Sequence, residues 1–281
     1  MSEAKKKIIL VPTDFTKVAD CAMNHAMKLA ERSEADVVLL HIVDKANDVD
    51  EAMTKLELEV GRARKWNTTV KVSPLVRVGS VYEDIGDAAA EIGAGLIIMG
   101  THGMRGMQFI TGSRALRVIT NSSVPFIVVQ ERLIKDEGYR DIVVPMDLHK
   151  ESRHKLTLVA DMAQYFKSRV HLVVPKETDE FLHHQLENHL KFANTYLNER
   201  GVEHTSVILD TDSDEFVKGL IRYAVKVDAD LIAIVNMLQN SIFGVLGVPN
   251  EQEVITNEPM VPVLTMNPLN NTVSNMPVWG P

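Results

Sequence analysis

The 281-residue chain has one cysteine, no long apolar run and no surplus of positive charge, and each absence excludes a class of protein. Cys21 cannot form an internal disulfide, which fits a reducing compartment and rules out a cysteine-based structural zinc site. Set among Ala19, Ala22, Met23 and Ala26 on an expected helix, it reads as a small packing residue. The longest uninterrupted apolar stretch, Leu231 to Val235, falls far below the roughly 18–20 residues that a membrane helix needs. Basic residues before Ile8 are followed only by Ile8-Ile9-Leu10-Val11 and then Pro12 and Asp14, which is no secretory signal. A cytoplasmic protein without a membrane partner is expected. Lys and Arg total 30 against 38 Asp and Glu, a formal charge of -8. Coating nucleic acid requires many cations to neutralise phosphates, so no nucleic-acid partner is expected, although a local anion site is compatible with this balance. What remains is an ordinary globular composition, 45% hydrophobic, and a length that suggests two domains at about 100–200 residues each.

The two halves repeat one another. Lys7-Ile8-Ile9-Leu10-Val11-Pro12-Thr13-Asp14 returns as Asp141-Ile142-Val143-Val144-Pro145-Met146-Asp147, with Pro12 and Asp14 matching Pro145 and Asp147 at an offset of 133. Val38 to Val43 matches His171 to Lys176 at the same offset. Leu96 to Met99 matches Leu231 to Ile234, and Val124-Pro125-Phe126 matches Val261-Pro262-Val263. Strands are expected near 7–13, 37–43, 70–77, 95–99 and 125–129, and again near 141–146, 169–174, 203–208, 230–235 and 261–265. Helix-period segments lie between them, from Thr16 to Ala30, 52–65, 81–92, 113–120, 150–167, 179–200 and 213–227. Strands that are apolar throughout, alternating with helices, imply an α/β fold of two tandem doubly wound domains, each with a five-stranded parallel sheet flanked by helices. The expected division is a first domain over 1–130, a charged linker over 131–140, a second domain over 141–266 and a tail over 267–281.

In open parallel sheets ligands bind beyond the carboxyl ends of the strands. After the fourth strand, Gly100-Thr101-His102-Gly103-Met104-Arg105-Gly106 leads to Gly112-Ser113-Arg114. Four glycines in thirteen residues allow close backbone approach, and Gly112-Ser113 falls where a helix N-terminus would favour phosphate. Tight turns alone would also explain the glycines. The loop is neither a Walker loop nor the Rossmann Gly-x-Gly-x-x-Gly. Asp14, at the end of the first strand, would face the same crevice or cap the next helix.

Pro12-Thr13-Asp14-Phe15, Leu40-His41-Ile42-Val43, Met99-Gly100-Thr101-His102-Gly103 and Gly112-Ser113 together resemble the universal stress protein family in its tandem form. The resemblance covers about 7–130 directly and 141–266 through the internal repeat. It implies an adenine nucleotide alpha hydrolase-like fold, pairing of domains through their last strands, and ATP binding through Gly-x2-Gly-x9-Gly-Ser/Thr. Carried onto this chain, it implies that Asp14 meets ribose or adenine and that Ile42 lines the base pocket. Gly100 and Gly103 would approach the phosphates and ribose, and Gly112 and Ser113 would hold the distal phosphates. Pro12 and Met99 belong to the same motif segments, and Arg105 and Arg114 offer positive charge. One departure stands out: eight residues, Met104 to Thr111, separate Gly103 from Gly112 where the pattern has nine. A missing residue shifts the helix start by ~3 Å unless Gly106 absorbs it.

The second half keeps only Asp147 of this set. Val235 stands for Gly100, Pro175 for Ile42 and about Val248-Pro249 for Gly112-Ser113, so it reads as a degenerate partner domain without a nucleotide site. Gly244 and Gly247 lie in an apolar stretch suited to packing. His183, His184 and His189 are spaced by one and five residues, not the three or four of a helical metal site, and read as a solvated face. Catalysis has little support: there is no Ser/His/Asp set, no paired carboxylates and no lysine in the phosphate loop. The expectation is a regulatory protein that binds ATP or a related adenine nucleotide, with Mg²⁺ able to accompany it. Its second domain would be an intramolecular pseudo-dimer partner, with protein partners unnamed and further homodimerisation open. The alternatives are a slow adenine-nucleotide hydrolase and a ligand-free interaction module.

Overall fold

The computed structural model describes residues 6–101, 112–148, 153–211, 215–236 and 251–268. They form two compact units that divide between Ile134 and Lys135. In the first, β1 (Ile8–Pro12) is followed by α1 (Lys17–Ser33), β2 (Asp36–Val43), α2 (Val49–Trp66), β3 (Val72–Val78), α3 (Asp84–Ile92), β4 (Leu96–Gly100), α4 (Gly112–Thr120) and β5 (Phe126–Val129). The strand order is β3-β2-β1-β4-β5, all parallel. Ile9, Leu10 and Val11 are fully buried, as a central strand covered on both faces requires. The stripe Val18, Ala22, Ala26, Leu29 and Ala30 buries one side of α1 against the sheet. Thr16 caps that helix by accepting from Ala19 N–H at 3.4 Å. Pro74 is tolerated because β3 lies at a sheet edge.

The second unit repeats the wiring. Its elements are β6 (Asp141–Pro145), α5 (Lys155–Phe166), β7 (Arg169–Val174), α6 (Glu180–Glu199), β8 (His204–Ile208), α7 (Phe216–Lys226), β9 (Leu231–Val235), α8 (Glu251–Ile255) and β10 (Val263–Met266). The order β8-β7-β6-β9-β10 is again parallel and matches the first unit position for position. The α/β class and parallel sheets expected from the sequence are therefore present.

Several boundaries differ from the sequence pattern. Helix α3 starts at Asp84 rather than near 81, because residues 80–83 form a turn. The Ser80 hydroxyl accepts from Tyr82 N–H at 3.3 Å, and the Asp84 carboxylate accepts from Ser80 N–H at 2.7 Å. Helices α5 and α7 start at Lys155 and Phe216, and α8 has no counterpart in the apolar periodicity. The charged segment 131–140 is packed. In the first unit, His25 on α1 bonds the Arg132 carbonyl through Nε2 at 2.9 Å, and Asn24 accepts from Ile134 N–H. In the second, Tyr139 is fully buried with its ring edge-on to Phe166 at 5.2 Å.

Several polar groups lie in the interior. His25 is buried, which pulls its pKa down to about 4. Lys155 is buried, its Nζ donating to the Pro145 carbonyl, and burial lowers its pKa to about 8 despite the nearby Asp147 carboxylate. His189 does not sit on a solvated face as expected: it is buried, with Nδ1 bonded to the Asp147 carbonyl at 2.8 Å. His183 and His184 are exposed and pair with Glu187 on their own helix. Cys21 is buried, and burial followed by the Glu131 charge raises its pKa, so it stays a thiol.

Candidate functional site

In the first sheet the order of strand addition reverses at β1, which pairs with β2 on one side and β4 on the other. The crevice beyond the carboxyl ends of these three strands is the place where such a sheet receives ligands. A cavity of about 470 Å³ lies there, within the roughly 300–1,000 Å³ of small-molecule sites.

Its floor follows from how β1 ends. Pro12 closes the strand, Thr13 N–H donates to the Leu40 carbonyl at 2.8 Å, and the chain turns through Phe15 in the left-handed region, φ 64°. That conformation is costly for a residue with a Cβ. Three contacts hold it. Thr13 Oγ1 accepts from Phe15 N–H at 3.1 Å, the Phe15 ring packs on His41 at 4.5 Å, and His41 Nδ1 bonds the Thr13 carbonyl at 2.7 Å. A carbonyl only accepts, so His41 carries its proton on Nδ1. Asp14 sits at the crest, exposed; one carboxylate oxygen accepts from both Thr16 N–H and Thr16 Oγ1. Part of Asp14 thus serves the start of α1, while the residue also lines the cavity.

Six of the nine residues singled out from the sequence come together around this cavity: Pro12, Asp14, Ile42, Met99, Gly100 and Arg114. Gly112 and Ser113 open α4, where the sequence placed a helix start. Gly103 lies outside the described residues, as do His102, Arg105 and Gly106 of the same loop. In the second unit Gly244, Gly247, Val248 and Pro249 lie outside them too, as does most of the tail, Trp279 included.

Gly100 also has a packing role. A Cβ there would stand 2.7 Å from both Val18 Cγ1 and the Val18 carbonyl oxygen. The glycine is therefore required by the close approach of α1 to β4, before any ligand is considered. It lines the cavity as a consequence of that approach.

Sequence reasoning missed much of the wall. Val18 and Ala19 of α1, His41, Val43 and Asp44 around the end of β2, and Asp48 of a short 3₁₀ turn contribute to it. So do Val81, Tyr82 and Ile85. Helix α3, which carries Ile85, is tied to β3 by an ion network: Arg77 Nε donates to Asp84 at 2.8 Å and Arg77 Nη1 to Glu91 at 2.7 Å. His41 and Val43 fall within the motif segment Leu40-His41-Ile42-Val43, and Asp44 follows it at a strand end; the others carried no sequence signal for the site. The wall is two-sided in character, with Leu40, Ile42, Val43, Ile85 and Met99 apolar, and Asp14, Asp44, Asp48 and Arg114 charged. Such a mixture suits a ligand with a flat apolar part and polar substituents. No group of three or more His, Cys, Asp or Glu among the described residues is placed to hold a metal ion. No helix among them is long and apolar enough to cross a membrane.

Comparison with known proteins agrees with this architecture. The model of the universal stress protein family matches residues 6–130. A universal stress protein of Methanocaldococcus jannaschii is 31% identical over 142 residues, covering 44% of this chain and 82% of that protein. A second from the same organism is 27% identical over 161 residues, covering 47% of this chain and 99% of that one. At full length, the crystal structure of a universal stress protein from Archaeoglobus fulgidus aligns with a TM-score of 0.69 over 93% of this chain and 96% of that one, at 16% identity. That alignment extends the likeness in fold across both halves. Its matched family model and its 31% identical relative place the chain in the universal stress protein family.

Proposed function

We propose that the chain is a regulatory protein of the stress response, acting in the cytoplasm, whose first unit binds ATP or a related adenine nucleotide. The observation that carries this reading is the cavity at the sheet's reversal point, which gathers Pro12, Asp14, Ile42, Met99, Gly100 and Arg114. Asp14 would accept from ribose hydroxyls, Ile42 would flank the base, and Arg114 with the N-terminus of α4 would face the phosphates. Among the described residues, three carboxylates share this wall with one arginine, so a nucleotide's charge is better tolerated when Mg²⁺ accompanies its phosphates. The second unit, with Val235 in place of Gly100 and a buried Lys155 beneath the corresponding strand end, would serve as a structural partner.

Titration calorimetry with ATP, ADP and AMP tests the proposal. Measurable binding is expected for at least one of them, weakened about tenfold in Asp14→Ala by loss of a charge-assisted hydrogen bond. No heat and no thermal shift with any of the three would overturn it.

A further inference from the structure

Among the described residues, Tyr82 and His41 are the aromatic side chains on the cavity wall, and Tyr82 is held by its neighbours. It lies in the turn that precedes α3, where its N–H donates to the Ser80 hydroxyl at 3.3 Å and its carbonyl accepts from Asn121 Nδ2 at 3.4 Å. The Arg117 guanidinium sits over its ring, 4.8 Å from the centroid. A cation over one face of a ring is compatible with a planar heterocycle stacking on the other. Arg114 and Arg117 are one helical turn apart on α4, so the same short helix supplies a cation to the cavity and a cation over the Tyr82 ring.

We infer that Tyr82 is the residue that recognises the ligand's base, by stacking its ring on it, and that Arg117 is a positioning residue that fixes the ring for this purpose. The inference rests on the nucleotide reading above and deepens it. It assigns selectivity for planar heterocyclic ligands to a side chain outside the glycine loop and the strand-end motifs. Ile85 and Val81 on the neighbouring wall would bound the same base edge-on.

The test is AMP affinity of the full chain, measured by calorimetry for the wild type, Tyr82→Phe, Tyr82→Leu, Tyr82→Ala, Arg117→Lys and Arg117→Met. Ribose 5-phosphate serves as a competitor lacking the base. Tyr82→Phe should bind AMP within about twofold of wild type, whereas Tyr82→Ala and Tyr82→Leu should lose about fivefold or more. Ribose 5-phosphate should compete equally with all of them, or too weakly to measure in any. Arg117→Met should lose about two- to threefold, with Arg117→Lys restoring most of it through the retained cation. Tyr82→Leu keeps the bulk of the side chain and decides the matter should Tyr82→Ala fail to fold. AMP affinity in Tyr82→Leu within twofold of wild type, or a parallel loss for AMP and ribose 5-phosphate, would overturn the inference. Failure of the wild type to bind AMP, ADP or ATP would instead overturn the nucleotide reading on which it stands.

Discussion

Gly100 offers a sharp steric test, because an alanine there must place its Cβ 2.7 Å from Val18 Cγ1 and from the Val18 carbonyl oxygen and 2.8 Å from the Val18 carbonyl carbon. Ordinary carbon contacts lie at about 3.5–4.0 Å, so the new atom is about 1 Å too close to its neighbours. The Cγ1 contact can rotate away, but the other two are backbone of α1 and can retreat only if the helix shifts. Overpacking of this kind costs about 1–3 kcal/mol. The shift would also move Val18 and Ala19, which line the cavity. Gly61 is the matched control: it lies within α2, and a Cβ there meets nothing within 4 Å. Gly61→Ala should therefore gain about 0.5–1 kcal/mol from helix propensity and reduced unfolded-state freedom. Urea denaturation followed by circular dichroism reads both changes as shifts of the midpoint in opposite directions. Equal midpoints for Gly100→Ala and wild type would refute the packing argument. So would a loss in Gly61→Ala as large as that in Gly100→Ala.

Other outcomes follow from the buried charges and the cavity wall. His25 has a folded-state pKa of about 4 against an ordinary 6.5, so the unfolded chain binds its proton first. Stability should fall as the pH drops from 6.5 towards 4, by at most about 3 kcal/mol; a nuclear magnetic resonance titration of the His25 ring with a midpoint near 6.5 would contradict this. Lys155 has a folded-state pKa of about 8 against 10.5, so the unfolded state holds the extra proton between those values. Its contribution should improve as pH rises through that window, by up to about 3 kcal/mol. Lys155→Met should lack that slope, and identical pH profiles for the two proteins would count against a buried ammonium. For the cavity, ATP should bind more tightly with Mg²⁺ than with EDTA, and Arg114→Ala should weaken ATP more than adenosine; equal effects on both ligands would remove Arg114 from the phosphate end.

The sequence made the strands legible because they are buried on both faces, and a run such as Ile8-Ile9-Leu10-Val11 has no other reading once Pro12 ends it. The repeat at offset 133 likewise anticipated the shared strand order of the two units. Helix starts were less legible. At α3 the apolar period reaches back to Val81, but the Ser80 and Asp84 side chains capture the backbone groups of residues 80–82 and delay the helix. The site was readable where it depends on strand ends, as with Asp14, Ile42 and Met99. It was opaque where tertiary packing brings residues in from helices, as with Val18 and Tyr82. The packing need for Gly100 was hidden, since its proximity to α1 depends on a contact 82 residues away in the chain. Lys155 and His189 were hidden because a polar residue in a helix ordinarily faces solvent, and only the carbonyls of Pro145 and Asp147 make their burial tolerable.

A crystal structure of the full chain grown with ATP and Mg²⁺ tests the central claim most directly. The account predicts one nucleotide per chain, in the first unit, with ribose at Asp14, the base between Ile42 and Tyr82, and phosphates towards Arg114 and the start of α4. An empty cavity at saturating nucleotide, or a nucleotide bound in the second unit beside Asp147 instead, would contradict it.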